Sequence, residues 1–214
     1  MKKLLLLSAV TCSLLSTAQI NLRATRFGVT AGANYSRVRN AHNPSGARFA
    51  FQGGALALIP LGGANQFFLQ PEVTYYGAGE SGRNKDSKGM KGYDAVYANN
   101  YISVPVYFKG YFSEAESEFY GLIGPRFNFL LDQKVTNESR EIYRLDQQGK
   151  AASFNFAVGL GIGYSYKRQL EVALKYDLGL SNTYPTLDES RLDPNSSKKK
   201  SEQVLSVTLS YIFN

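Results

Sequence analysis

Six charged residues fall within stretches that otherwise alternate apolar with small or polar types: Glu72, Lys109, Arg126, Glu171, Lys175 and Asp177. Three acids against three bases can do two kinds of work. Lining a channel, they would select or gate ions. Packed inside a closed structure, they would neutralise one another, because a lone charge taken out of water is costly. The equal numbers favour an internal network. Other chemistry is thinly supplied. His42 is the only histidine and Cys12 the only cysteine. That excludes an intramolecular disulfide framework and the usual zinc site of three or four such ligands. Ser36 and Ser45 lie near His42, but a base and a nucleophile need a defined mutual arrangement, and no recognisable spacing supplies it. The chain is therefore expected not to be an enzyme and to need no cofactor and no metal. Gly159-Leu160-Gly161-Ile162-Gly163 has only a superficial likeness to a phosphate-binding loop, since it alternates in mid-strand with no helix after it.

The elements that must position these charges are strands. From Ser153 to Lys167 one face reads Phe154, Phe156, Val158, Leu160, Ile162, Tyr164, Tyr166, and the other holds Ser, Asn, Ala and Gly. Period-two alternation of this kind marks a strand with two different faces. Leu170–Leu180 and the final stretch through Leu205, Val207, Leu209, Tyr211 and Phe213 repeat it. Five less regular segments fit as well: Arg26–Val38, Arg48–Ile59, Gln66–Tyr76, Tyr101–Phe112 and Glu118–Leu131. The second breaks its alternation near Gly53-Gly54, where a bulge is expected. Pro71, Pro105 and Pro125 lie inside strand candidates, and in a closed sheet they are expected at bulges or strand ends.

Short connections alternate with long ones around this even number of strands. Pro60–Asn65, Ser113–Ser117 and the region of Arg168 are short; Arg39–Ala47, Gly77–Asn100, Asp132–Ala152 and Ser181–Gln203 are long and polar. Bacterial outer-membrane barrels have this pattern. The polar faces carry Gly, Ser, Thr, Asn and Ala rather than the Lys and Glu of a water-exposed face, which suits a narrow lumen. Tyr and Phe at the ends of the apolar faces suit bilayer interfaces. A soluble barrel or sandwich is the weaker alternative. The expected fold is all-β: an eight-stranded antiparallel up-and-down transmembrane β-barrel with long extracellular loops and short periplasmic turns.

The first residues read as an export signal. Lys2 and Lys3 precede the apolar stretch Leu4–Leu15, too short to span a bilayer, and Ser16-Thr17-Ala18 offers small residues for cleavage after Ala18. The expected organisation is a signal peptide over 1–18 and one barrel domain over 19–214. Loss of the two lysines lowers the formal charge from +7 to +5, a surplus that does not argue for nucleic acid. The Lys198-Lys199-Lys200 run is either a solvated loop or a contact for anionic lipopolysaccharide.

Five stretches carry a family resemblance. They are Gly28–Ser36, Phe68–Val73, Tyr101–Val106 with Lys109–Phe112, Gly124–Phe127, and Leu174–Asn182. In this order they resemble the outer-membrane β-barrel family often labelled the porin family or PorT family of Gram-negative bacteria. The resemblance implies that the prolines are tolerated and that the barrel is met by the barrel assembly machinery, with Tyr211 and Phe213 as an assembly signal. Asn214 after Phe213 departs from the common ending on an aromatic residue. The expected function is a small barrel with a filled lumen, serving a structural or loop-mediated interaction role. The alternative is an accessory to outer-membrane transport or protein secretion, as in PorT-like relatives. Expected partners are outer-membrane lipid and lipopolysaccharide, the assembly machinery, and an unidentified protein.

Overall fold

The computed structural model describes residues 22–41, 46–62, 65–81, 95–136, 149–187 and 197–213. After a single 3-10 turn at Leu22–Ala24, eight strands follow: β1 (Arg26–Arg39), β2 (Gly46–Pro60), β3 (Phe67–Ser81), β4 (Val96–Tyr111), β5 (Glu118–Thr136), β6 (Phe154–Tyr166), β7 (Leu170–Gly179) and β8 (Ser201–Ile212). Each pairs antiparallel with the next, and β1 pairs with β8 to close the barrel. Closure leaves no unpaired sheet edge, the condition for crossing a bilayer with strands.

The apolar faces point outward. Val29 and Tyr35 on β1, Leu160 and Ile162 on β6, Leu174 on β7, and Val207 and Leu209 on β8 are all exposed. Their alternating neighbours are buried: Thr30, Asn34, Asn155, Ala157, Ala173, Lys175, Ser206 and Thr208. Aromatic rings gather at both ends of this band. Phe27, Phe67, Phe119, Tyr164 and Phe213 stand at the end of the short turns, and Tyr35, Phe49, Phe51, Phe129 and Phe154 at the other. Rings at bilayer interfaces keep an apolar body in lipid and an edge near water.

Three features differ from the sequence expectation. The alternation of β2 is unbroken, with Phe49, Phe51 and Ala55 exposed and Ala50, Gln52, Leu56 and Leu58 buried. It looks broken in the sequence because Leu56 and Leu58 are apolar residues that face inward, into a cluster with Phe68, Tyr111 and Ile212. The bulge expected at Gly53-Gly54 lies instead between Ala47 and Gln52. Gly54 serves close approach: a Cβ there would lie 2.0 Å from the Val73 carbonyl oxygen.

Secondly, the prolines sit at neither bulges nor strand ends. One register runs from Phe67↔Gly110 to Ser81↔Val96 across Pro71, and one from Tyr101↔Leu130 to Tyr111↔Tyr120 across Pro105. Pro125 sits opposite Val158 in an equally continuous register. Thirdly, β3, β4 and β5 run beyond the expected ends, to Ser81, from Val96 and to Thr136. Residues 76–81 are buried without alternation. Among them Tyr76 and Ala78 pack into an inner cluster with Tyr101 and Val204.

The short-turn end is tied together by one side chain. Lys167 and Arg168 both have positive φ (53° and 52°), and the Gln169 N–H donates to the Tyr166 carbonyl, the two-residue hairpin geometry that suits strand twist. The Arg168 guanidinium donates to the Asn65 carbonyl at 2.6 Å in the β2–β3 turn and to the Ser113 carbonyl at 3.3 Å in the β4–β5 turn. It also pairs with Glu118 at the start of β5 and lies over the Tyr111 ring.

Candidate functional site

The lumen is the place where chemistry-bearing side chains converge. The six charges singled out in the sequence all point into it, and none exceeds 2% exposure. They form three ion pairs. Lys109 Nζ donates to Glu171 Oε1 at 2.6 Å. Lys175 Nζ donates to Glu72 Oε1 at 3.0 Å. Arg126 Nε donates to Asp177 Oδ1 at 3.1 Å. One member of every pair comes from β7, whose inner face carries Glu171, Lys175 and Asp177; the partners come from β4, β3 and β5 on the facing wall. The pairs therefore bridge the lumen crosswise, stacked along the barrel from the short-turn end towards the long loops.

Neutral donors and rings complete each pair. Tyr111 OH and Ser165 Oγ donate to Glu171 at 2.6 and 3.1 Å. Gln70 Nε2 donates to Glu72 at 2.7 Å. Arg126 donates to Ser103 Oγ at 2.9 Å and to Tyr107 OH at 2.6 Å, while Tyr76 OH donates to Asp177 Oδ2 at 2.9 Å. Cations also face rings: Arg126 lies 4.5 Å from the Tyr76 centroid, Lys109 4.1 Å from Tyr120 and Lys175 5.0 Å from Tyr107. Buried charges persist only when paired and hydrogen-bonded in this way.

Space for the network comes from β6. Gly159 and Gly161 pair with Asp177 and Lys175. A Cβ at Gly159 would lie 2.5 Å from Asp177 Oδ1, and one at Gly163 would lie 2.4 Å from the Tyr120 ring. The Gly-x-Gly-x-Gly stretch is thus the flat wall against which the pairs and their tyrosines lie. The sequence singles out the six charges but not the tyrosines that bond to them, although its alternation already sets Tyr101, Tyr107 and Tyr111 on the face of Lys109. By the same parity Tyr76 shares the face of Glu72.

Beyond the network, towards the long loops, lies a second polar region. Asn34 Nδ2 donates to the Gly77 carbonyl and Gln52 Nε2 to Asn34 Oδ1, both at 2.8 Å. Asn99 Nδ2 donates to Tyr184 OH at 3.1 Å. Burial, with the Glu80 and Glu202 carboxylates nearby, pushes the Tyr184 phenol well above its ordinary range and keeps it an O–H. Glu80 and Glu202 are buried carboxylates that sequence reasoning did not single out.

The remaining candidates separate. Tyr211 and Phe213 present adjacent rings on the outer face, 5.7 Å apart. The lysine run is not one solvated patch, because Lys200 is buried and donates to the Leu187 carbonyl, whereas Lys198 and Lys199 are exposed. Ser36 is buried and donates to the Gly79 carbonyl at 2.9 Å, a structural bond. The expected signal segment with Cys12, and His42 with Ser45, lie outside the described residues.

The sequence matches the family model of the outer membrane protein beta-barrel domain over residues 17–184, and the chain belongs to that family. No curated protein matches the sequence. Among solved structures, the attachment invasion locus protein Ail of Yersinia pestis is similar at 12% identity and a TM-score of 0.44, covering 88% of this chain and 98% of that one. Neisserial surface protein A is similar at 13% identity and a TM-score of 0.46, covering 87% and 97%. OprG from Pseudomonas aeruginosa is similar at 10% identity and a TM-score of 0.31, covering 89% and 94%.

Proposed function

We propose that this outer-membrane barrel is a closed anchor that holds its extracellular loops for contact with lipid, lipopolysaccharide or a protein partner, and is neither a diffusion pore nor an enzyme. The observation that carries this reading is the lumen itself: three crosswise ion pairs, with Tyr76, Tyr107 and Arg126 fully buried among them. Eight-stranded barrels are in general narrow enough for side chains to fill. Export through a signal peptide cleaved after Ala18 belongs to this reading, as does recognition of Tyr211 and Phe213, at the end of β8, by the assembly machinery.

Refolded protein in planar lipid bilayers tests it. Absence of stable unitary current is the expected result, and a large, steady unitary conductance overturns it. A PorT-like accessory role in secretion is the second reading, supported by the order of the five resembling stretches. Deleting one long loop separates the two. A changed set of secreted proteins with the barrel still assembled favours the accessory role, and an unchanged set with altered surface binding favours the anchor.

A further inference from the structure

On the extracellular side of the Arg126–Asp177 pair, the lumen contains a small polar cavity. Asn128, Asn155, Ala157, Asp177, Gly179, Thr183 and Glu202 belong to its wall, and it has room for one water-sized occupant, about 10 Å³. The cavity exists because the wall between Asn155 and Glu202 is built of Ala157 and Gly179, which pair across β6 and β7. A Cβ at Gly179 would lie 2.3 Å from the Glu202 carbonyl oxygen.

Three residues of this wall each carry a buried oxygen with no hydrogen-bond donor: Asn128 Oδ1, Asn155 Oδ1 and Glu202 Oε1. The residues are 4%, 4% and 6% exposed. Two of them belong to one connected group. Asn155 Nδ2 donates to Tyr101 OH at 3.4 Å, and Tyr101, Asn99 and the Gly79 N–H in turn donate to the Glu202 carboxylate. Those donors fix Glu202 in place and still leave Oε1 unmet. Asn128 and Asn155 are direct cross-strand partners on β5 and β6, so their amides project from the same level of the barrel.

We propose that this cavity binds one monovalent metal cation of sodium size, held by Glu202 Oε1, Asn128 Oδ1 and Asn155 Oδ1. Three acceptors in one small space call for a positive centre. A single water has two hydrogens and leaves one of the three oxygens unmet, whereas a cation satisfies all of them. The donor set is all oxygen, the preference of hard cations. Charge sets the valence. Asp177, on the same wall, is already paired with Arg126, so Glu202 is the one other carboxyl lining the cavity, with Glu80 close behind it outside the wall. A calcium ion, which takes six to eight oxygens with several carboxylates among them, is over-charged for it.

The test uses the full mature chain refolded in zwitterionic micelles, with thermal unfolding followed at constant ionic strength in sodium, potassium or choline chloride, and with calcium added to the choline sample. A ligand that binds only the folded state raises the midpoint as its concentration rises. The expected result is a midpoint in sodium chloride higher than in choline chloride by about 3 °C or more, rising with sodium concentration. Glu202→Gln and, separately, Asn155→Leu abolish the difference. Should Glu202→Gln fail to fold, Asn155→Leu and the sodium titration of the unsubstituted chain decide the matter. Equal midpoints in sodium and choline overturn the proposal and leave ordered water as the occupant. A rise with calcium and none with sodium overturns it equally.

Discussion

The two faces of β7 obey opposite rules. Outward, Leu170, Val172, Leu174, Leu178 and, past the strand's end, Leu180 meet lipid and have no specific partner. Inward, Glu171, Lys175 and Asp177 each reach across the lumen to one named partner. The outer face is specified by class, since any apolar side chain of suitable size satisfies a hydrocarbon solvent. The inner face is specified by pairs, because each charge is tolerable only while its counterpart is present. One strand of ten residues therefore carries two tolerance regimes at alternating positions.

Substitutions can break or sharpen this contrast. The largest effect is expected inside. Arg126→Met strands Asp177 and strips donors from Ser103 and Tyr107, and should cost about 3–5 kcal/mol in urea unfolding of the vesicle-embedded barrel, followed by gel mobility. A loss near zero would mean that water reaches Asp177 and the lumen is not dry. Next comes the outer face. Leu209 is the middle residue of the exposed series that runs from Leu205 along β8 to Phe213 just past its end, and Leu209→Arg should cost about 2–4 kcal/mol in the same measurement, while Leu209→Ile should change little. The smallest effect is expected when both members of a pair are replaced together. Lys175→Met with Glu72→Leu should stay within about 1 kcal/mol of the parent, although either change alone costs several times that. If the double replacement were as harmful as a single one, the pairs would be doing more than neutralising each other.

The same contrast explains what could be read from the chain alone. β6 was fully legible because its outer face is uniformly large and apolar and its inner face uniformly small. β2 was not, because Leu56 and Leu58 serve an inner apolar layer and imitate outward residues. The extensions of β3 to β5 were illegible for another reason. Alternation is written by lipid on one side, and Gly77-Ala78-Gly79 has none beside it. For the site, the six charges were visible as inner-face residues in equal numbers. Their pairing was not, since Lys109 and Glu171 stand on strands that never touch edge to edge, and only the tilt and closure of the barrel set them opposite one another. The unpaired oxygens of Asn128, Asn155 and Glu202 were likewise invisible, because they depend on what three separate strands fail to supply.

The Arg168 side chain has a consequence in time. Its contacts at Asn65 and Ser113 join turns contributed by β2–β3, β4–β5 and β6–β7. A flat, half-inserted sheet holds the first and last of these turns four strands apart, well beyond the reach of one arginine. The bond to Asn65 can therefore form only after the sheet has curled. Arg168 is therefore expected to latch the barrel only once it is curved, and the order of events during assembly should be visible as the delayed protection of the three turns from proteases on the periplasmic side.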